Sequence, residues 1–264
     1  MNETIRLFIG AAANSIDLES QMVAEYSARK LCSLPLEITW MQQAAKGPYA
    51  GWNCGSGRTP FTHYRWSLPA MCGFEGKAIY TDVDFLFMAD LAELWIQTVP
   101  GVFLAKVGKK GLHKTCCMLF DCAKAKGHVP DLPGLRKMAD PQGTLFKYFT
   151  ERPELYSGFE GDWNAIDVKG YDDIHDPRIK AIHYSRIETQ PSVPYAKKRL
   201  ELEGKTHWYT GPTGPHERKD LIALFDSLYR EALDAGYTLD QYRVEGFAGA
   251  TRKNFTYAHS RVTA

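Results

Sequence analysis

No stretch of the 264-residue chain approaches the ~18 consecutive apolar residues that a bilayer-crossing helix needs. Charge of one sign is not in excess. Lys and Arg total 32 against 31 Asp and Glu, and a net charge of +1 gives no bulk electrostatic reason to bind nucleic acid. Internal repeats and low-complexity tracts are missing. The opening residues, Met1-Asn2-Glu3-Thr4, lack a basic segment followed by an apolar one. The expectation is therefore no signal peptide and a cytoplasmic protein. The six cysteines (Cys32, Cys54, Cys72, Cys116, Cys117, Cys122) contain no C-x-x-C pair. Cys116 and Cys117 are neighbours whose side chains point to opposite faces of a strand, so they cannot easily bond each other. Reduced, mostly buried thiols are the reading, rather than a zinc or disulfide framework.

What is present is ordinary globular composition, with 44% hydrophobic and 24% charged residues, enough for one α/β domain. Ile5 to Gly10 is a short apolar run ending in glycine, which predicts a buried strand. Leu18, Met22, Val23, Tyr26 and Leu31 recur at helical spacing behind Asp17, a candidate N-cap. Leu36 to Met41 alternates like a second strand. Strand, helix, strand in this order opens an α/β sheet. Residues 44–60 are rich in glycine and small polar groups, a long surface loop. A helix is expected from 61 up to the proline at 69, strands at Lys77–Thr81, Gly101–Val107, Lys114–Phe120 and Lys180–Tyr184, and a short helix at Ala89–Gln97. Residues 130–152 read as helix broken at Pro133 and at 141–143. His216 to Ala235 is the clearest amphipathic helix, closed by Gly236.

The most informative segment is Lys77 to Trp95, KAIYTDVDFLFMADLAELW. An apolar strand delivers Asp82 and Asp84 to its carboxyl end, the edge where open α/β sheets bind ligands. Carboxylates one residue apart on a strand project the same way and can meet one cation. Mg²⁺ and Mn²⁺ favour oxygen ligands and bridge readily to phosphate. The physical reading is a metal that holds a diphosphate. D-x-D alone is a weak signal, since most such pairs are solvated turn carboxylates; the apolar strand before it and the apolar helix after it strengthen it.

This segment resembles the signature of the family 8 glycosyltransferases, the glycogenin-like and lipopolysaccharide galactosyltransferase-like enzymes. Four flanking blocks are similar too: Thr59–Met71, Cys117–Asp121, Phe159–Asn164 and Ile182–Pro191. Their order and spacing hold across residues 59–191, about half the chain. The variant carrying DWN and TQP is closest to bacterial proteins of uncertain acceptor. The resemblance implies a GT-A-like, Rossmann-related fold: a mixed central sheet flanked by helices, as a single domain with a C-terminal helical extension. On that division residues 1–215 form the nucleotide-sugar-binding and catalytic domain, and residues 216–264 a helix and tail packed on it.

The resemblance also implies a site. Asp82 and Asp84 match the family's D-x-D carboxylates and His183 its third metal ligand, for Mn²⁺ or Mg²⁺. A core histidine at a strand end is the plain alternative for His183. Arg65 matches the arginine facing the sugar or phosphates of the donor; an exposed helical arginine is its alternative. Glu160 and Asp162 match the acidic segment near the transferred sugar, with the register open by one or two positions. Trp163 is a candidate floor of the site or a core tryptophan, and Asn164 a turn or a sugar contact. Ala11, Ala12, Ala13 and Asn14 fall where the family cradles base and ribose, with no base-reading aspartate among them, and Val83 completes the donor set. The family lysine after the histidine is missing; Gln190 stands near its place, with Arg186, Lys197 and Lys198 as substitutes. Thr115-Cys116 replaces the family's Asn followed by Ala or Gly.

The function implied is metal-dependent transfer of a sugar from a nucleotide-diphosphate sugar, UDP-sugar favoured, to a saccharide or glycolipid acceptor with retention of configuration. The loop 44–60 and the segment 191–215, with Tyr195, His207, Trp208 and Tyr209, are the candidate lids. Arg252, Lys253 and Arg261 make a basic tail that could touch polysaccharide, or anionic lipid at the inner membrane face; solvation is the plainer fate of three tail charges. Two rival readings are a non-catalytic sugar-nucleotide-binding module and a haloacid-dehalogenase-type phosphatase with Asp82 as nucleophile.

Overall fold

The computed structural model describes residues 3–244 apart from 53 and 56. In chain order the elements are β1 (Ile5–Gly10), α1 (Leu18–Leu31), β2 (Leu36–Met41), α2 (Leu68–Met71), β3 (Lys77–Asp82), β4 (Phe85–Phe87), α3 (Leu91–Trp95), β5 (Phe103–Gly108), β6 (Gly111–Asp121), α4 (Leu132–Lys137), α5 (Pro141–Thr150), β7 (Tyr156–Gly158), β8 (Ala165–Ile166), β9 (Ala181–His183), α6 (Ser192–Leu202) and α7 (Lys219–Asp234).

The strands form two sheets. The larger is mixed, in the order β2-β1-β3-β6-β5-β7. Strand β1 runs parallel to both β2 and β3, while β6 is antiparallel to β3 and β5. Its central strands read as continuous apolar runs because both faces are covered. Leu7, Ile9, Ile79, Leu119 and Phe120 are fully buried. On one face Trp66 stacks on Phe149 at 5.4 Å between ring centroids. The smaller sheet is β4-β9-β8, with β4 antiparallel to β9. Its apolar side packs under α7 through Leu221, Phe225 and Leu228.

Differences from the sequence reading have local causes. Residues 64–67 form a 3-10 turn, and the α-helix begins at Leu68, with Pro69 in its first turn, where a missing N–H costs nothing. The breaks expected at Pro133 and Pro141 are helix starts for the same reason, capped by the Asp131 and Asp140 side chains. Asp17 precedes α1 without capping it; its carboxylate turns back to accept from the Ala12 amide at 2.7 Å. Residues 192–202, read as part of a lid, are helix α6. Strands β4, β7 and β8 are too short to show a period.

Helix α6 is tied to α1 by a buried ion pair. The Arg199 Nε donates to Glu19 Oε1 at 2.7 Å, with Glu19 buried and Arg199 nearly so. Arg199 also donates to the carbonyls of Ser15 and Ile16. Glu203 Oε1, 3.2 Å from Arg199 Nη1, remains as a second partner if Glu19 is removed. Glu19→Ala, which loses the two charged hydrogen bonds to Arg199, is expected to cost about 1.5–3 kcal/mol of unfolding free energy in urea. Glu37→Ala, at an exposed position on β2, should change it by less than about 0.5 kcal/mol.

Candidate functional site

The chain passes between the two sheets through Asp82-Val83-Asp84. Asp82 ends β3 in the large sheet, and Phe85 begins β4 in the small one. Phe85 pairs with His183 in the β4–β9 ladder, and the Tyr184 amide donates to the Asp84 carbonyl at 3.0 Å. Backbone pairing therefore fixes Asp84 beside His183: Asp84 Oδ1 lies 3.6 Å from His183 Nε2. Phe85 stacks on the imidazole at 4.5 Å.

Each group is held from behind. His183 Nδ1 is 2.9 Å from Asn164 Oδ1, an accepting carbonyl that keeps the proton on Nδ1 and leaves the Nε2 lone pair toward Asp84. Gln190 Nε2 donates to Asp84 Oδ2 at 2.7 Å and to the Tyr184 carbonyl at 2.6 Å. Asp84 Oδ1 is buried with no hydrogen-bond partner. A buried carboxylate oxygen without a donor, facing an imidazole lone pair, fits a cation between them. Asp84 Oδ1 and His183 Nε2 are therefore candidate ligand atoms for a divalent ion.

Asp82 is held differently. Arg65 Nη2 donates to both its oxygens at 2.9 and 3.1 Å, and Tyr80 Oη donates to Oδ1 at 2.6 Å. Gly10 makes this possible, since a Cβ there would lie 2.5 Å from Tyr80 Oη. Burial raises the Asp82 carboxyl, with the Arg65 charge working against it. Arg65 is also buried. Burial alone would lower its pKa, but Asp82, Tyr80 and Cys116 more than reverse this and raise it. Its other nitrogen, Nη1, donates to Thr115 Oγ1 at 3.0 Å and to Cys116 Sγ at 3.7 Å. An exposed helical arginine is thereby excluded.

These residues floor a cleft of about 1190 Å³. Its lining includes Arg65, Asp82, Val83, Asp84, His183 and Gln190. Other candidates lie elsewhere. Glu160 is exposed and off the lining, attached to Gln97 through its backbone. Asp162 is bound by Lys106 Nζ at 2.8 and 2.9 Å, by Tyr171 Oη and by the Asn164 amide. Trp163 is fully buried, its indole donating to the Glu160 carbonyl, so it belongs to the core rather than the floor. Asn164 is fully buried in the turn before β8, and its side chain supports His183. Ala11 and Ala12 lie in the apolar core, and none of residues 11–14 lines the cleft. Asp17 and Ser20 do. The Asp17 carboxylate folds back onto the Ala12 amide beside the cleft.

Of the substitutes for the missing lysine, Arg186 lines the cleft, while Lys197 donates to the Gly211 carbonyl and Lys198 is off the lining. Lys106, Lys114, Lys169 and Arg58 also line it. Sequence reading missed them because isolated surface cations carry no local signal; the β5–β6 register shift at Lys106 is visible only in the fold. Of the lid aromatics, His207 and Trp208 reach the cleft, whereas Tyr195 stacks on Tyr229 of α7 and Tyr209 is buried. The basic tail residues Arg252, Lys253 and Arg261 lie outside the described residues. Among the described residues no helix is long and apolar enough to cross a membrane.

No family model matches the chain. It is 35% identical over 92 residues to Protein CDI of Arabidopsis thaliana, a match covering 34% of this chain and 35% of that protein. The match thus spans about a third of that curated relative's length. Among solved structures it is similar to the galactosyltransferase LgtC in complex with donor and acceptor sugar analogues, with TM-score 0.55 and 12% identity, over 86% of this chain and 96% of that one. It is also similar to the glycosyltransferase GlyE of Streptococcus pneumoniae (TM-score 0.52, 14% identity, 89% of this chain, 64% of that one). A third likeness is to the bifunctional glycosyltransferase WbbM (TM-score 0.54, 12% identity, 79% of this chain, 51% of that one). The chain therefore has the mixed α/β, GT-A fold of these glycosyltransferases, as the resemblance in its sequence implies.

Burial raises the Asp17 carboxyl from 3.8 to about 6, against the lowering effect of the Ala12 amide bond. The folded protein therefore holds this proton more tightly than the unfolded chain, and the associated stability is present below about pH 4 and lost as pH rises through about 6. Asp17→Asn keeps an acceptor for Ala12 and removes the charge. It is expected to be more stable than the parent above pH 6, by at most about 3 kcal/mol. That advantage should vanish below about pH 4. Urea unfolding across this range checks it, and an advantage independent of pH would contradict it.

Proposed function

We propose that the chain is a glycosyltransferase that moves a sugar from a nucleotide-diphosphate sugar, UDP-sugar favoured, to a saccharide or glycolipid acceptor. The observation that carries this reading is the partnerless Asp84 Oδ1 facing His183 Nε2 on the floor of a large cleft, at the carboxyl end of β3. In this reading Asp82, Asp84 and His183 hold a divalent ion, Mn²⁺ or Mg²⁺. When bound, such an ion acts as a Lewis acid toward the leaving diphosphate.

The chain's own residues do the rest. Gln190 clamps Asp84 Oδ2, and Oδ1 faces His183 Nε2. Asn164 fixes the imidazole tautomer. Arg65 compensates Asp82 and carries a permanent charge into the cleft, where a planar guanidinium suits a diphosphate. Lys114, Lys169 and Arg186 add cations around it. The carboxylates of segment 159–164 are not free for covalent work, since Asp162 is neutralised by Lys106 and Glu160 faces solvent. This favours front-face attack with retention, in which an oxygen of the leaving phosphate accepts the acceptor hydroxyl's proton. The phosphatase reading needs Asp82 as a free nucleophile, and Arg65 occupies both its oxygens.

Thermal denaturation with UDP-, GDP-, CDP- and dTDP-sugars, each with and without Mn²⁺, tests the donor site, because a ligand that binds only the folded state raises its stability. One nucleotide class should stabilise the protein, and only with metal; no shift with any donor would overturn the reading. Asp84→Ala should remain folded, lose the metal-dependent shift and abolish transfer; a variant with parental activity would remove Asp84 from the site. A metal-dependent shift without turnover of any sugar would favour the binding module. Asn164→Leu should weaken Mn²⁺ binding by about 10–100-fold through loss of the His183 support, read by titration of the ion.

A further inference from the structure

A fourth donor faces the ion-binding floor. The antiparallel register that pairs Thr81 with Cys117 runs on to set Asp82 beside Cys116. Cys117 points into the core, and Cys116 points the other way, partly exposed and lining the cleft. One ligand atom each from Asp82, Cys116 and His183 lie within 4.8 Å of one another. His183 Nε2 meets this cluster with Nδ1 already occupied. Oxygen, nitrogen and sulfur converging on one point is not a set that Mn²⁺ or Mg²⁺ selects. Thiolate and imidazole together suit Zn²⁺ and Co²⁺. Zinc–sulfur and zinc–nitrogen bonds of about 2.3 and 2.0 Å require these donors to close by roughly an ångström.

We propose that Cys116, His183 and Asp82 form a thiophilic mode of the same floor, in which a Zn²⁺-class ion binds through the Cys116 sulfur and displaces the hard ion. The proposal rests on the reading of Asp82 and His183 as ligands. On binding, the S–H bond of Cys116 breaks, a sulfur–metal bond forms and the proton leaves to solvent; no electron is transferred and no oxidant is needed. The Arg65 guanidinium, 3.7 Å from the sulfur, stands beside the resulting thiolate. Zinc would then act as an antagonist of the manganese form, with Cys116 setting the contest between the two ions.

The test uses the full chain stripped of metal by a chelator. Co²⁺ titration should produce a near-ultraviolet sulfur-to-cobalt charge-transfer band in the parent and none in Cys116→Ser. Zn²⁺ should displace Mn²⁺ from the parent, followed by the spin resonance of released Mn²⁺. In Cys116→Ser the preference for Zn²⁺ should fall by more than about 10–100-fold, the range already lost when a ligand loses its outer support. Zn²⁺ protection of parental Cys116 from alkylation, mapped by mass spectrometry, reads the same contact without any substitution. Co²⁺ bound without the band, the band persisting in Cys116→Ser, or alkylation of Cys116 unaffected by Zn²⁺ would each overturn the proposal. Mn²⁺ and donor binding with no cobalt band would sink the thiolate mode and leave the glycosyltransferase reading intact. The band without any donor binding would do the reverse.

Discussion

The passage of the chain from one sheet to the other across Asp82-Val83-Asp84 is the constraint on which the site depends. Asp82 belongs to β3, whose neighbours are fixed by the apolar core of the large sheet. Asp84 leads into β4, whose partner β9 carries His183. Neither sheet alone brings two carboxylates and an imidazole together. The backbone ladders on both sides do so, and their geometry does not depend on flexible side chains. The turn after β8 adds to this, since Asp167 and Val168 take left-handed backbone angles and the Asp167 amide donates to the His183 carbonyl. Left-handed geometry is costly for a β-branched residue such as Val168, so the packing around it must hold it in place.

Electrostatics decides what each carboxylate can do. Asp82, Asp84 and Asp162 are each treated differently by their surroundings. Asp82 is neutralised by Arg65 and bonded by Tyr80. Asp162 is saturated by Lys106 and Tyr171. Asp84 keeps one oxygen without a donor, opposite an imidazole lone pair. A buried anionic oxygen left without a partner costs free energy, and the fold tolerates that cost where a cation can offset it. Asp82 is thus already offset by a protein cation, whereas Asp84 has one oxygen that no protein donor offsets.

Much of this was legible in the sequence. The apolar strand ending in D-x-D, the short helix after it and the amphipathic α7 were all legible, and α3 and α7 lie within the helices expected at 89–97 and 216–235. The partner of Asp162 in the acidic segment 160–162 was not legible, because composition shows a carboxylate but not what it pairs with; Lys106 is distant in sequence and lies at a strand irregularity. Asn164 sits in a turn, as read, but its support of His183 was hidden because the histidine lies 19 positions away. Asp17 looked like a helix cap because a helix does begin after it, and only the fold shows its carboxylate turned back to Ala12. Helix α6 was hidden by Pro194 and by the polar residues Lys197, Lys198 and Arg199; its buried side is narrow.

A crystal structure of the protein soaked with Mn²⁺ and a nucleoside diphosphate, with data collected for manganese anomalous scattering, tests this arrangement most directly. An anomalous peak is expected between Asp84 Oδ1 and His183 Nε2, with diphosphate oxygens completing the coordination. A nucleotide bound in the cleft with no ion at that position, or an ion bound away from these two atoms, would contradict it.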